Sequence, residues 1–242
     1  MIFNIEERLS DSPFVERIWH TQTEHPGTLN SIAASQWEMV VTRYQGQATM
    51  TVRGPETKAT SIPVTIVGAE FFGIIFKHST LMPYLPSGTL VDRAVDLPDA
   101  SNKSFWLNGS AWQFPDYENA DTFIGRLVQK EMLVHDPIVD SALRGESQEL
   151  SPRSVQRRFL QTTGLTHGSI RQIERARYAT TLLNGGFSIF DTVHQAGYAD
   201  QPHLTRALKR FIGKTPVQIM NKTESEQMSL LFKTEPFRCY II

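Results

Sequence analysis

Residues 188–216 read SIFDTVHQAGYADQPHLTRALKRFIGKTP, and this stretch decides the architecture of the C-terminal half. Ser188 suits an N-cap, and Ile189, Val193 and Ala196 follow at i, i+4, i+7, one buried stripe of a short helix. Gly197 ends that helix where the chain must turn sharply. Asp200 caps the next helix, with Pro202 in its first turn, where a missing N–H does no harm. Leu204, Leu208 and Phe211 give the same buried spacing, and Gly213 closes the helix ahead of Thr215 and Pro216. Two short helices across a glycine turn are the helix-turn-helix plan. The second helix leaves His203, Arg206 and Arg210 on one face at i, i+3, i+7, with Lys209 on the flank. In a major groove, Arg pairs with guanine O6 and N7, while Lys209 and Arg210 are better placed on phosphates.

A similar pair precedes it. Ile138, Ala142 and Leu143 bury one short helix in this reading; Ser151 and Pro152 then open another, with Val155 and Phe159 inward. Arg153, Gln156 and Arg157 point outward, Arg158 flanks them, and Gly164 ends the helix. Gln can pair bidentately with adenine. A long helix over about residues 168–183, carrying Ile170, Ile173, Tyr178, Leu182 and Leu183, ties the two units together. Two basic helices at fixed separation are expected to enter successive major-groove segments about one helical turn apart. For a single basic helix, a solvated polar face would be the better explanation.

Residues 151–217 resemble the DNA-binding domain of AraC/XylS-type transcription regulators. The resemblance is carried by Gly197-Tyr198-Ala199-Asp200-Gln201-Pro202-His203-Leu204-Thr205-Arg206, Lys209-Arg210-Phe211 and Gly213-Lys214-Thr215-Pro216. In the first unit Leu150-Ser151-Pro152-Arg153, Arg157, Phe159 and Gly164 match, and Arg175, Ala179, Leu182 and Leu183 fit the family's linker helix. The resemblance implies that Arg153, Gln156 and Arg157 read bases in the first unit, and His203 and Arg206 in the second. Pro202 occupies an equivalent place but is expected only to pack. With the flanking Arg158, Gln201, Lys209 and Arg210, these make up the expected DNA-binding set. Three departures stand out. His194 replaces a small residue, Leu208 replaces a phenylalanine, and Arg144 to Leu150 is longer than a tight turn.

Charge agrees with this division. Residues 1–135 hold 10 Lys/Arg against 15 Asp/Glu, residues 136–222 hold 12 against 7, and residues 223–242 hold 2 against 3. A basic segment beside an acidic one favours a polyanion-binding module joined to something else. The expected divisions are therefore 1–135, 136–222 and a tail, 223–242. Phe237, Tyr240, Ile241 and Ile242 in that tail suggest docking rather than a free end.

Upstream the texture is β-rich. Trp37, Met39 and Val41 alternate with Gln36, Glu38 and Val40; Thr49, Thr51 and Arg53 alternate with Met50 and Val52; Gln45-Gly46-Gln47 reads as the hairpin connection. Residues 62–67 and 71–76 are further strands, and Arg53-Gly54-Pro55-Glu56 a turn. Residues 103–112 and 119–134 read as helices. The fold expected is α+β: an N-terminal small β-sandwich or cupin-like domain with helices, then an all-α domain of two helix-turn-helix units joined by a linker helix. More weakly, residues 1–135 resemble the domains attached to one subgroup of the same regulators, through Arg53-Gly54-Pro55, residues 68–76 and residues 86–97. That implies effector binding or dimerisation.

Other chemistries are weaker. No run approaches eighteen apolar residues, so no membrane span is expected, and Glu6 and Glu7 argue against a signal peptide. The single cysteine, Cys239, excludes an intrachain disulfide, which fits the cytoplasm. No P-loop, dinucleotide fingerprint or nucleophile elbow occurs. His20, Glu24, His25 and His78 are the candidate ligands of a cupin-like metal enzyme, the rival class, but His20 and His25 fall on opposite faces of a continuous strand. Isolated histidines are the better reading, so neither catalysis nor a metal or cofactor is expected. Trp37, Phe71, Phe72, Phe76, Trp106, Trp112 and Phe114 are candidates for an effector pocket, with ordinary core as the simpler account. The partners expected are double-stranded DNA, a small-molecule effector, a second copy of the chain and, for an activator, RNA polymerase. The rival to an effector site is an N-terminal domain that makes only protein contacts.

Overall fold

The computed structural model describes residues 3–146, 150–221 and 226–228. Its N-terminal part carries strands β1 (Phe3–Arg8), β2 (Val15–Thr23), β3 (Gly27–Ser31), β4 (Glu38–Tyr44), β5 (Gln47–Arg53), β6 (Thr60–Val64), β7 (Glu70–Phe76), β8 (Thr80–Leu81), β9 (Ala94–Asp96), β10 (Asp99–Ser101), β11 (Ser104–Leu107) and β12 (Ser110–Gln113). Helix α1 (Ala120–Gln129) and β13 (Val134–His135) lead into helices α2 (Pro137–Leu143), α3 (Pro152–Thr163), α4 (His167–Asn184), α5 (Ile189–Gln195), α6 (Gln201–Phe211) and α7 (Pro216–Met220), followed by β14 (Glu226–Met228). The chain is therefore α+β, with a β-rich N-terminal part and a helical C-terminal part.

Among the described residues the main sheet has the order β1-β2-β7-β4-β5-β9. Within it lies the hairpin of β4 and β5, closed by Gln45 and Gly46, both at positive φ (50° and 79°). Positive φ at both central residues matches the strand twist, which is why a two-residue connection suffices. Alternation sends Met39, Val41, Met50 and Val52 to one face, where they join Phe72, Ile74 and Phe76. Each such side chain contributes about 1.5–3 kcal/mol when fully buried. The other face carries Trp19, Ala34, Val40 and Ile75. There Trp19 lies directly over its cross-strand partner Gly73, where a Cβ would sit 2.2 Å from the indole. Strands β3 and β6 pair with each other, and β14 adds to β3 in parallel.

The helical reading of residues 103–112 is overturned. That segment is the β11–β12 hairpin, turned by Asn108 and Gly109 at φ 48° and 73°. Phe105, Leu107 and Trp112 face the core beside Phe123, Ile124 and Leu127 of α1. The helix expected over residues 119–134 stops at Gln129. Glu131 then takes φ 56°, and Met132 and Leu133 drop into the β-sheet core. In α2 the stripe is displaced: Val139 is the fully buried residue, while Ile138, Ala142 and Leu143 are half-buried.

The two parts meet without a spacer. Ile32 and Ala33, between β3 and β4, are buried in the helical core with Phe159, Ile173, Leu204 and Phe211. A 3-10 turn at Ser87–Thr89 packs on α3, so closely that a Cβ on Gly164 would lie 2.9 Å from the Ser87 carbonyl oxygen.

Candidate nucleic-acid interface

Each helix expected to contact DNA is fixed at its start by its own sequence. Ser151 caps α3, accepting from the Ser154 amide at 3.3 Å, with Pro152 at the first position. Asp200 caps α6, accepting from the His203 amide at 2.7 Å. Such caps are worth about 0.5–2 kcal/mol each and set where the helix begins. Phe159 holds α3 inward, and Leu204, Leu208 and Phe211 hold α6. The leucine at position 208 is fully buried, so the smaller side chain is accommodated. His194 is exposed on α5, edge-on to Phe190 at 4.5 Å, and no close packing falls on it.

Helix α4 packs against α3, α5, α6 and α7 and so braces both units. The turn between α5 and α6 is anchored to it. Gly197 takes φ 67°, and Arg175 of α4 donates to its carbonyl at 3.4 Å while stacking on Tyr198 at 4.5 Å. Burial pushes the Tyr198 hydroxyl up to about 12, so this ring stays neutral.

The opposite faces are open. On α3, Arg153, Gln156 and Arg157 are exposed and, with Leu160 and the start of α4 at Thr166–Gly168, line a groove of about 770 Å³. Arg158 is exposed too, but its Nε lies 2.8 Å from the carboxylate of Asp136. That carboxylate is buried, caps α2 and accepts from Thr162. On α6, Gln201, Pro202, Arg206, Lys209 and Arg210 are exposed. His203 is half-buried, edge-on to Tyr198 at 5.1 Å. None of Arg153, Arg157, Arg206, Lys209 and Arg210 is buried against the β-rich part. Part of the longer connection between α2 and α3, and the apolar tail residues Phe237, Tyr240, Ile241 and Ile242, lie outside the described residues.

The rival metal ligands do not converge. His20 stands on β2 near Tyr117, Glu24 and His25 are exposed beyond it, and His78 is buried with its Nε2 2.8 Å from Ser35 Oγ. Among the described residues no three His, Cys, Asp or Glu side chains cluster to hold a metal. No described helix is long and apolar enough to cross a membrane.

A second feature escaped the reading of the sequence. A cavity of about 320 Å³ lies between the main sheet and the β3–β6 pair. Of the aromatic residues considered for an effector pocket only Phe71 lines it; Trp37, Phe72, Phe76 and Trp112 are core, with Phe114 packed against them, and Trp106 is exposed on β11. Its polar lining includes Gln36, Glu38, Arg53 and Glu56. The signal present in the sequence was Glu38, a carboxylate opening the run Met39-Val40-Val41 in a strand buried on both faces.

Comparison with known proteins places the helical part. A family model described as a helix-turn-helix domain matches residues 147–222. The HTH-type transcriptional regulator RipA of Corynebacterium glutamicum is 36% identical over 88 residues, covering 36% of this chain and 27% of that protein. RipA of Corynebacterium diphtheriae is 37% identical over 67 residues, 28% of this chain and 20% of that protein. The matches thus span about a quarter of these relatives' length. Among solved structures, ToxT from Vibrio cholerae aligns over 91% of this chain and 98% of its own, with 9% identity and a TM-score of 0.38. Residues 147–222 thus match a helix-turn-helix domain and are similar to the corresponding part of HTH-type transcriptional regulators.

Proposed function

We propose that this protein is a sequence-specific DNA-binding transcription regulator that reads two successive major-groove segments with α3 and α6. The observation that carries the reading is the repeated arrangement: two capped helices on one bracing helix, each with exposed cationic residues opposite its buried stripe. Arg153, Gln156 and Arg157 are the base readers of the first helix, and His203 and Arg206 of the second. Arg158, Gln201, Lys209 and Arg210 position the backbone. The Asp136 carboxylate beside Arg158 makes that residue a weaker phosphate ligand than Lys209. Residues 136–222 form the DNA-binding part and residues 1–135 the regulatory part, which modulates affinity or assembly. No catalytic step is assigned.

The test separates the two kinds of contact. Arg206→Ala is expected to cost about 1–3 kcal/mol on the preferred site and little on random DNA. Lys209→Ala is expected to weaken both alike and reduce the slope of log K against log salt by about 1. Equal losses on specific and random DNA for Arg206→Ala would remove it from the base-reading set.

A further inference from the structure

The cavity beside the main sheet is charged in a particular way. Glu38 sits at its wall with its side chain 12% exposed, accepting from the Trp19 indole N–H at 3.1 Å; the nearest cation, Arg53, stands 3.9 Å off. Glu56 accepts from Ser31 Oγ at 2.7 Å and feels the same arginine. Burial outweighs Arg53 for both carboxyls and raises both pKa values. Two acids thus share one guanidinium. Beside them the Gln36 amide nitrogen is buried without a partner. The rest of the wall is apolar, with Leu29, Ile62, Phe71 and Ile75 among its residues.

We propose that this cavity binds a small organic cation, an ammonium or amidinium on an apolar body, with its charge on Glu38 and Glu56. A bound cation supplies the missing positive charge where the low dielectric makes an ion pair strong, and charge-assisted hydrogen bonds hold it. An oxygen on the ligand gives the Gln36 amide its acceptor. A carboxylate ligand would have to take Arg53 from two acids already facing it, so anions are disfavoured. The volume falls at the low end for small-ligand sites, which limits the body to about one ring.

The wall of the cavity is also the joint with the helices. Ser31, Ala34 and Gln36 line the cavity, while Ile32 and Ala33, between them, enter the helical core. The Ala33 amide donates to the Phe211 carbonyl at 2.7 Å, and the Ala59 amide, three residues after Glu56, donates to the Arg210 carbonyl at 2.8 Å. Ser35 Oγ donates to Glu174 of α4 at 2.6 Å. A ligand that shifts Glu56 or residues 31–36 therefore moves the supports of α6. This second half of the inference rests on the DNA-binding reading; ligand binding itself does not.

The probes are tyramine and phenethylamine, matched against 4-hydroxyphenylacetate and phenylacetate, titrated calorimetrically into the full chain. The amines are expected to bind and to raise Tm with concentration, and the acids to do neither. Glu38→Gln and Glu56→Gln, each with unchanged far-UV circular dichroism, are expected to weaken amine binding by about tenfold or more. Acids binding as well as amines, no amine binding, or unchanged affinity in both variants would overturn the site. In the second arm, saturating tyramine is expected to change affinity for the preferred DNA by about threefold or more. Amine binding with unaltered DNA affinity would overturn the coupling and leave the site standing, and absence of DNA binding altogether would fall on the functional reading alone.

Discussion

Helices α3 and α6 have the same plan and different attachments. Both are capped, both bury an aromatic residue in the same core, and both turn cationic residues outward. Helix α3 is held to the rest of the molecule by side chains and close packing: Arg158 and Thr162 on Asp136, and Gly164 on the 3-10 turn. Helix α6 is held to the β-rich part by backbone, its last carbonyls accepting from Ala33 and Ala59. Side-chain attachments are lost by substitution. Backbone attachments move only when the segments bearing them move, and those segments wall the cavity. Under the coupling proposed above, α6 is the helix that a ligand in the cavity would shift, and α3 the fixed reference.

The largest expected effects fall on the shared core. Phe159→Ala should cost about 3–5 kcal/mol and Leu208→Ala about 2–5 kcal/mol in denaturant unfolding, since both are buried to 1% exposure or less and leave cavities. A cost well under 1 kcal/mol at either would mean that helix is not anchored as described. Next comes pH. Burial holds the His78 pKa down to about 4, with Arg177 and His167 adding to the effect and Glu174 opposing it. A histidine kept neutral when folded but protonated when unfolded costs stability as pH falls from its ordinary value of 6.5 toward 4. The loss is on the order of 3 kcal/mol at 1.36 kcal/mol per unit. His78→Gln should flatten that part of the stability–pH profile, and an unchanged profile would place its origin elsewhere. Asp136→Ala removes the α2 cap and the Arg158 and Thr162 partners together. A loss of about 1–3 kcal/mol is expected, with looser α3 and unchanged α6 in hydrogen exchange. Equal loosening of both helices would erase the distinction between them.

Much of the helical part was legible because its signals are local. Ser151, Ser188 and Asp200 cap within three residues, and Leu204, Leu208 and Phe211 repeat at the helix period. The β4–β5 hairpin was legible for the same reason. The β11–β12 hairpin was misread as a helix although Asn108-Gly109 is a hairpin turn pair; the apolar residues around it, Phe105, Trp106, Leu107 and Trp112, fit either period over so short a run. What no local pattern carries is the joint between the parts. Ser35 meets Glu174 across 139 residues of chain, and Ile32 and Ala33 enter a core whose other buried members run from Val139 to Ile219. The cavity is hidden likewise, since Gln36, Glu38, Arg53 and Glu56 converge only when β3 and β6 fold over the sheet.

The most direct measurement is selection of bound sequences from a random DNA pool by the full chain, repeated with Arg157→Ala and with Arg206→Ala. Two conserved blocks about one helical turn apart are expected, with Arg157→Ala blurring one block and Arg206→Ala the other. A single block, or one in which both substitutions degrade the same bases, would contradict reading by two helices.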